Sequence, residues 1–362
     1  MKRSALGAIA LGVIAACSMA TATAQTAPAD GKPRAKVANG VLVGALEDGI
    51  ASYKGVPFAA PPLGDLRWKA PQPAANWTGE KTATEFGASC MQGGRGVSSE
   101  DCLYLNVYAP PDAKNAPVMV WIHGGSNLNG SGAIYNGAAF AKDGVVTVTI
   151  NYRMGAFGFF AHPELTKAAS KTDPLANYGL MDQTAALQWV QKNITAFGGD
   201  PKKVTVFGES AGAIDIYALL GLKTSKGLFS QAILESNITW GDSAPLADAE
   251  KDGKELVTKA GAADTATLAD LKAIPADKLL AAQGSARFPM VDGRFMTETS
   301  LQAVAKKHTL DVPLIVGTNS YEASLSRQLQ GQAQTDWTNN MAGAPARFIA
   351  SKSADGKPSW LY

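Results

Sequence analysis

Short apolar runs, each rich in β-branched side chains and bounded by Gly, Asp or Asn, punctuate the middle of the chain. Val118-Met119-Val120-Trp121-Ile122, Val145 to Ile150, and Val204-Thr205-Val206-Phe207 are predicted as buried strands. Between the second and third, Leu180, Ala185, Leu187, Val190, Ile194 and Phe197 recur at helical spacing over Tyr178 to Phe197. Gly198-Gly199-Asp200-Pro201 stops that helix. A strand, a helix and a strand in this order imply a right-handed crossover and a mostly parallel sheet with helices on both faces. Ligand sites in such sheets lie at the carboxyl ends of the strands. Ala232-Ile233-Leu234 and Val312 to Val316 are further strand candidates.

With 362 residues, 46% of them hydrophobic, the chain can bury a large core. Its formal charge of +2 includes Lys2 and Arg3, which lie in a segment expected to be removed. The remainder is near neutral, which argues against a nucleic-acid partner. Met-Lys-Arg, the apolar run Ala5 to Ala16, and Ala22-Thr23-Ala24 form the three parts of a secretory signal, residues 1–24, cut before Gln25. The apolar run is too short to span a bilayer. Ile14-Ala15-Ala16-Cys17 resembles a lipobox, so lipidation of Cys17 is the alternative processing route. Residues 25–40 are expected to be a flexible lead into one domain, 41–362. Export leaves Cys90 and Cys102 in an oxidising compartment, where they are expected to pair; two buried free thiols are the alternative.

Gly208-Glu209-Ser210-Ala211-Gly212 follows the Val204 to Phe207 run directly and precedes a helical run, Ala213 to Leu220. A strand that turns at once into a helix forces the apical residue into a strained backbone, and glycine on both flanks avoids clashes. Ser210 is therefore the candidate nucleophile. The pattern alone is weak; its place between a strand and a helix gives it weight. Attack on a carbonyl creates a negative oxygen that must be held. Trp121-Ile122-His123-Gly124-Gly125-Ser126 follows its own strand with small residues that let backbone N–H groups approach.

These segments belong to a longer ordered series: Tyr53-Lys54-Gly55-Val56-Pro57-Phe58-Ala59, Ser99-Glu100-Asp101-Cys102-Leu103-Tyr104-Leu105-Asn106-Val107, Asn151-Tyr152-Arg153, and Asn177-Tyr178-Gly179-Leu180-Met181-Asp182-Gln183. In that series the sequence resembles the type-B carboxylesterases and cholinesterase-like hydrolases, particularly bacterial members, almost from Val41 to Tyr362. The resemblance implies an α/β-hydrolase fold, with an acyl-enzyme on Ser210 and oxyanion donors from the N–H groups of Gly125, Ser126 and Ala211. It also implies a Cys90–Cys102 disulfide, a structural ion pair between Glu100 and Arg153, and a small-molecule carboxylic ester as substrate.

The acid of such a triad follows the serine in chain order. Val316-Gly317-Thr318-Asn319-Ser320-Tyr321-Glu322 is similar to the family's strand-end segment, and Glu322 takes the place of its glutamate, which orients a histidine base. Here the pattern breaks. The three histidines, His123, His162 and His308, all precede Glu322, and none stands where the base belongs. The chain is expected to stop within a strand at Pro358-Ser359-Trp360-Leu361-Tyr362, ahead of the last strand and the histidine loop, and to be inactive or poorly folded as written. No metal or cofactor is expected: there is no His-x-x-x-His or Cys-x-x-Cys, and the Gly124-Gly125 segment lacks a phosphate loop's lysine. Phe288 and Trp240 are candidates to line an acyl pocket, with core packing the expected role of each. A non-catalytic binding or adhesion module on the same fold is the alternative function, disfavoured because Ser210, Glu322 and the oxyanion segment are all present.

Overall fold

The computed structural model describes residues 30–362, apart from Arg95, Asp242, Ala286, Ser326, Arg327 and the side chain of Leu325. The expected signal segment and Cys17 therefore lie outside the described residues. One unit, Lys32–Tyr362, holds the sheet and the helices that cover it.

Among the described residues, nine strands form the central sheet: β1 (Ala45–Glu47), β2 (Ile50–Pro57), β3 (Tyr104–Ala109), β4 (Ala116–Ile122), β5 (Val146–Ile150), β6 (Gly199–Glu209), β7 (Gln231–Glu235), β8 (Leu314–Gly317) and β9 (Ser359–Leu361). Their spatial order is β1-β2-β3-β5-β4-β6-β7-β8-β9. From β5 to β9 every pairing is parallel, whereas β1, β2 and β3 join antiparallel at one edge. Each strand predicted from an apolar run is present with ends shifted by a few residues. All five residues of β5 are buried, as expected for a strand covered on both faces.

The helical pattern after Asn177 resolves into α1 (Tyr178–Asn193) and a 3₁₀ turn, Ile194–Phe197, closed by Gly198 at φ 81°. Helix α2 (Ala211–Gly221) follows β6 and is buried along almost its whole length. Val118, Val120, Val148, Val204 and Val206 from the strands meet Leu180, Leu187, Ile216 and Leu219 from these helices in one core. Ser359–Leu361, read from sequence as the start of a strand, pairs in parallel with β8 and forms the sheet edge, with Trp360 54% exposed.

Four expectations need correction. Arg34–Val37, inside the supposed flexible lead 25–40, is a strand paired with Gly40–Val43, and Ala35 and Val37 are buried in the core. Glu100 does not pair with Arg153. The Arg153 guanidinium makes two bonds of 2.8 Å to Asp182, which is wholly buried on α1, while Glu100 binds Arg67. The reason is reach: Asp182 also accepts from the Arg153 backbone N–H at 3.0 Å, so the carboxylate is anchored where the guanidinium begins. Phe288 is 46% exposed rather than core, on a stretch between two helices that belongs to no helix or strand. Trp240 is only half-buried, with its indole N–H donating to Asn340 O at 3.1 Å. Cys90 and Cys102 are joined as a disulfide and buried.

Candidate active site

Strand β6 ends at Glu209, and Ser210 turns the chain into α2 with φ 55° and ψ −121°. A non-glycine residue in that region carries strain of about 1–3 kcal/mol, tolerated only where the surroundings impose it. They do so here. Ser210 N donates to Glu235 O on β7 at 2.9 Å, and Ser210 O accepts from Ile214 N at 3.0 Å. A Cβ at Gly208 would lie 2.6 Å from Ile122 O, and one at Gly212 only 2.1 Å from the same oxygen. Glycine on both sides lets β6 and α2 close onto the end of β4.

The loop after β4 runs against the serine: a Cβ on Gly124 would sit 3.1 Å from Ser210 Cβ. Gly125, Ser126 and Asn127 all have positive φ, at 102°, 59° and 54°. Among the described residues, the N–H groups of Gly125 and Ser126 donate to no protein acceptor. Ala211 opens α2, so its N–H has no intrahelical acceptor either. Three backbone donors are thus left unpaired in the chain segments flanking Ser210.

Glu322 follows β8, two strands from Ser210 across β7. Two strand spacings correspond to roughly 10 Å across the sheet. The carboxyl is buried, and Oε1 accepts from Ser236 Oγ, Thr318 Oγ1 (2.9 Å), Asn319 N (2.7 Å) and Asn319 Nδ2 (3.1 Å). Burial pushes its pKa up, but these donors outweigh it and hold the group below the usual carboxylate value. Glu209 is pushed up by partial desolvation and then by the charges of Glu322 and Glu235. The three carboxylates therefore set a negative field at the ends of β6, β7 and β8.

The histidines are engaged elsewhere. His123 is buried, with its ring stacked on Tyr152 at 4.5 Å and Nδ1 2.9 Å from Gly124 O; burial lowers its pKa to about 4 and keeps it neutral. His162 caps the helix Pro163–Ala168 by accepting from Glu164 N. His308 meets Glu298 at 2.7 Å on the surface. None hydrogen-bonds to Ser210 or Glu322 among the described residues. A separate cleft of about 970 Å³, lined by Lys223, Arg294, Met296 and Glu298 among others, does not include Ser210.

Sequence reading missed Asp215, wholly buried on α2 and bonded to Asn127 Nδ2 (3.0 Å) and Gln183 Nε2 (2.6 Å). The signal was present: one acidic residue inside the apolar run Ala213 to Leu220. Burial pushes its pKa up to about 7, with the two amides opposing. A folded pKa above the unfolded one means that the native state binds the proton more tightly. Stability should therefore fall as pH rises from about 4 to about 7 and level off above. Urea midpoints measured across that range should show the decline, and Asp215→Asn should remove it.

The carboxylesterase family model matches residues 32–350. The chain belongs to that family. Among curated carboxylesterase relatives, it is 40% identical over 292 residues to the fumonisin B1 esterase of Sphingopyxis macrogoltabida, covering 76% of this chain and 54% of that one. It is 39% identical over 323 residues to the para-nitrobenzyl esterase of Bacillus subtilis, covering 79% and 62%. The chain thus spans little more than half the length of these relatives. A solved PNB esterase superposes with a TM-score of 0.83 at 32% identity, over 91% of this chain and 78% of its own. A Geobacillus stearothermophilus carboxylesterase gives 0.81 at 34%, over 91% and 79%. The chain accordingly has the α/β-hydrolase fold of these carboxylesterases, with a mostly parallel central sheet.

Proposed function

We propose that this carboxylesterase hydrolyses small carboxylic esters through an acyl-enzyme on Ser210. The observation that carries the reading is the left-handed Ser210, set between an unpaired trio of N–H groups and a buried, hydrogen-bonded Glu322. Ser210 Oγ attacks the ester carbonyl while a base takes its proton. The oxyanion is held by the N–H groups of Gly125, Ser126 and Ala211. The alcohol leaves with that proton, and water then attacks the acyl carbonyl to free the acid and restore the hydroxyl. Glu322 is the triad acid, and its free Oε2 would accept from a histidine N–H. The field of Glu209, Glu235 and Glu322 favours the imidazolium that such a base becomes. None of the three histidines in residues 1–362 is in that place, so these residues carry the nucleophile, the oxyanion donors and the acid only.

An exported setting is supported by the Cys90–Cys102 disulfide. No helix among the described residues is long and apolar enough to cross a membrane.

Prolonged incubation with a fluorophosphonate, mapped by mass spectrometry, tests the reading. Slow modification at Ser210 that disappears in Ser210→Ala is expected, since oxyanion donors and binding alone retain part of the catalysis. No modification, or modification at another serine, would favour the non-catalytic binding module.

A further inference from the structure

The buried polar cluster behind the oxyanion segment is unused by the acyl-enzyme mechanism. Asp215 lies on the second turn of α2, five residues beyond Ser210, and neither of its hydrogen-bonded partners carries charge: both are amides, Asn127 and Gln183. Asn127, also wholly buried, directly follows Ser126. The side-chain nitrogen and the backbone oxygen of Asn127 are both engaged. Nδ2 donates to Asp215, Oδ1 lies 3.0 Å from Tyr152 Oη, and the backbone oxygen accepts from Gly155 N at 2.6 Å. Tyr152 Oη donates to His123 O at 2.7 Å, so the same cluster grips both ends of the loop from His123 to Asn127.

The loop needs such a grip because of its backbone. Ser126 and Asn127 are consecutive non-glycine residues at φ 59° and 54°, a conformation that L-residues adopt reluctantly. It leaves the N–H groups of Gly125 and Ser126 without acceptors among the described residues. A relaxed loop would rotate them toward ordinary pairing. The restraint has to come from a rigid element, and α2 is that element because it also carries Ser210 and Ala211.

We propose that Asp215 is a positioning residue which, by clamping Asn127 to the nucleophile-bearing helix, holds the left-handed Gly125–Asn127 turn in the geometry of an oxyanion hole. This rests on the esterase reading for the role of those N–H groups, although the clamp itself does not. Asp215 touches no substrate. It acts through Asn127, and it ties the spacing of the two halves of the hole to a single helix.

Two measurements on the full chain test this, each made with wild type, Asp215→Leu and Asp215→Asn. Amide hydrogen exchange should rise about tenfold or more for residues 123–128 in Asp215→Leu, because the Asn127 amide loses its acceptor, while Val146–Ile150 stays as protected as in wild type. Asp215→Asn should restore protection through its side-chain oxygen. Fluorophosphonate modification of Ser210, compared at equal folded fraction, should slow in Asp215→Leu and recover in Asp215→Asn. Unchanged exchange at 123–128, or a uniform rise along the chain, would overturn the clamp. If Asp215→Leu does not fold, Asn127→Ala removes the same bond from the loop side and must reproduce the local rise. Should wild type remain unmodified by the probe, the esterase reading fails, while hydrogen exchange still decides the clamp.

Discussion

Residues 1–362, expressed as one polypeptide, should hydrolyse p-nitrophenyl acetate on the order of a million-fold more slowly than a serine esterase with a complete triad. That corresponds to about 8 kcal/mol of barrier. The magnitude follows from how triads fail: the members act as a unit, and losing the base costs nearly as much as losing the nucleophile as well. Ser210→Ala should therefore lower the remaining turnover only slightly. The physical cause is the engagement of all three histidines elsewhere: His123 is neutral and stacked on Tyr152, His162 caps a helix, and His308 is held by Glu298. Steady-state hydrolysis at an ordinary esterase rate, abolished by Ser210→Ala, would refute this. It would mean that one of these rings leaves its place to serve as base.

The second large effect concerns stability. Arg153→Ala should destabilise the fold by about 3–5 kcal/mol, since it strands the Asp182 carboxylate, wholly buried on α1, without its counter-ion. Against a typical total of about 5–15 kcal/mol, that is a large share. Burial pushes the Asp182 pKa up even with Arg153 present, because the guanidinium's pull downward is the smaller effect. Without Arg153, the carboxyl should take up a proton in the native state, so that the variant recovers stability as pH falls toward 4. Chemical denaturation at pH 7 and pH 4 reads both effects. A loss below about 1 kcal/mol at pH 7 would show that water or another donor reaches Asp182.

How much of this was legible beforehand depends on the range of each interaction. The apolar runs that became β4, β5, β6, β7 and β8 are local patterns, and the Gly-Glu-Ser-Ala-Gly turn is a local steric demand. Both could be read directly, as could the glycine-rich segment after β4. The pairing of Arg153 with Glu100 was taken from the family resemblance, and nothing local in the sequence tests such a long-range contact. Only packing brought Asp182 under its guanidinium and turned Glu100 toward Arg67. The strand at Arg34–Val37 was hidden by a Lys- and Pro-containing context whose buried positions, Ala35 and Val37, are apolar only at every second residue.

By itself the sequence determined that this chain would build a mostly parallel sheet, present Ser210 on a strained turn between a strand and a helix, and hold no histidine between Glu322 and Tyr362. Those are consequences of side-chain periodicity, glycine sterics and residue order, which need no knowledge of distant neighbours. The tertiary structure alone decided that Glu322 stands two strands from Ser210 with its Oε1 saturated by donors, and that Asn127 meets Asp215 across 88 positions of chain. Such contacts are made by the crossovers that order the strands. The chemistry of a buried carboxyl depends on which amides and which solvent those crossovers leave beside it.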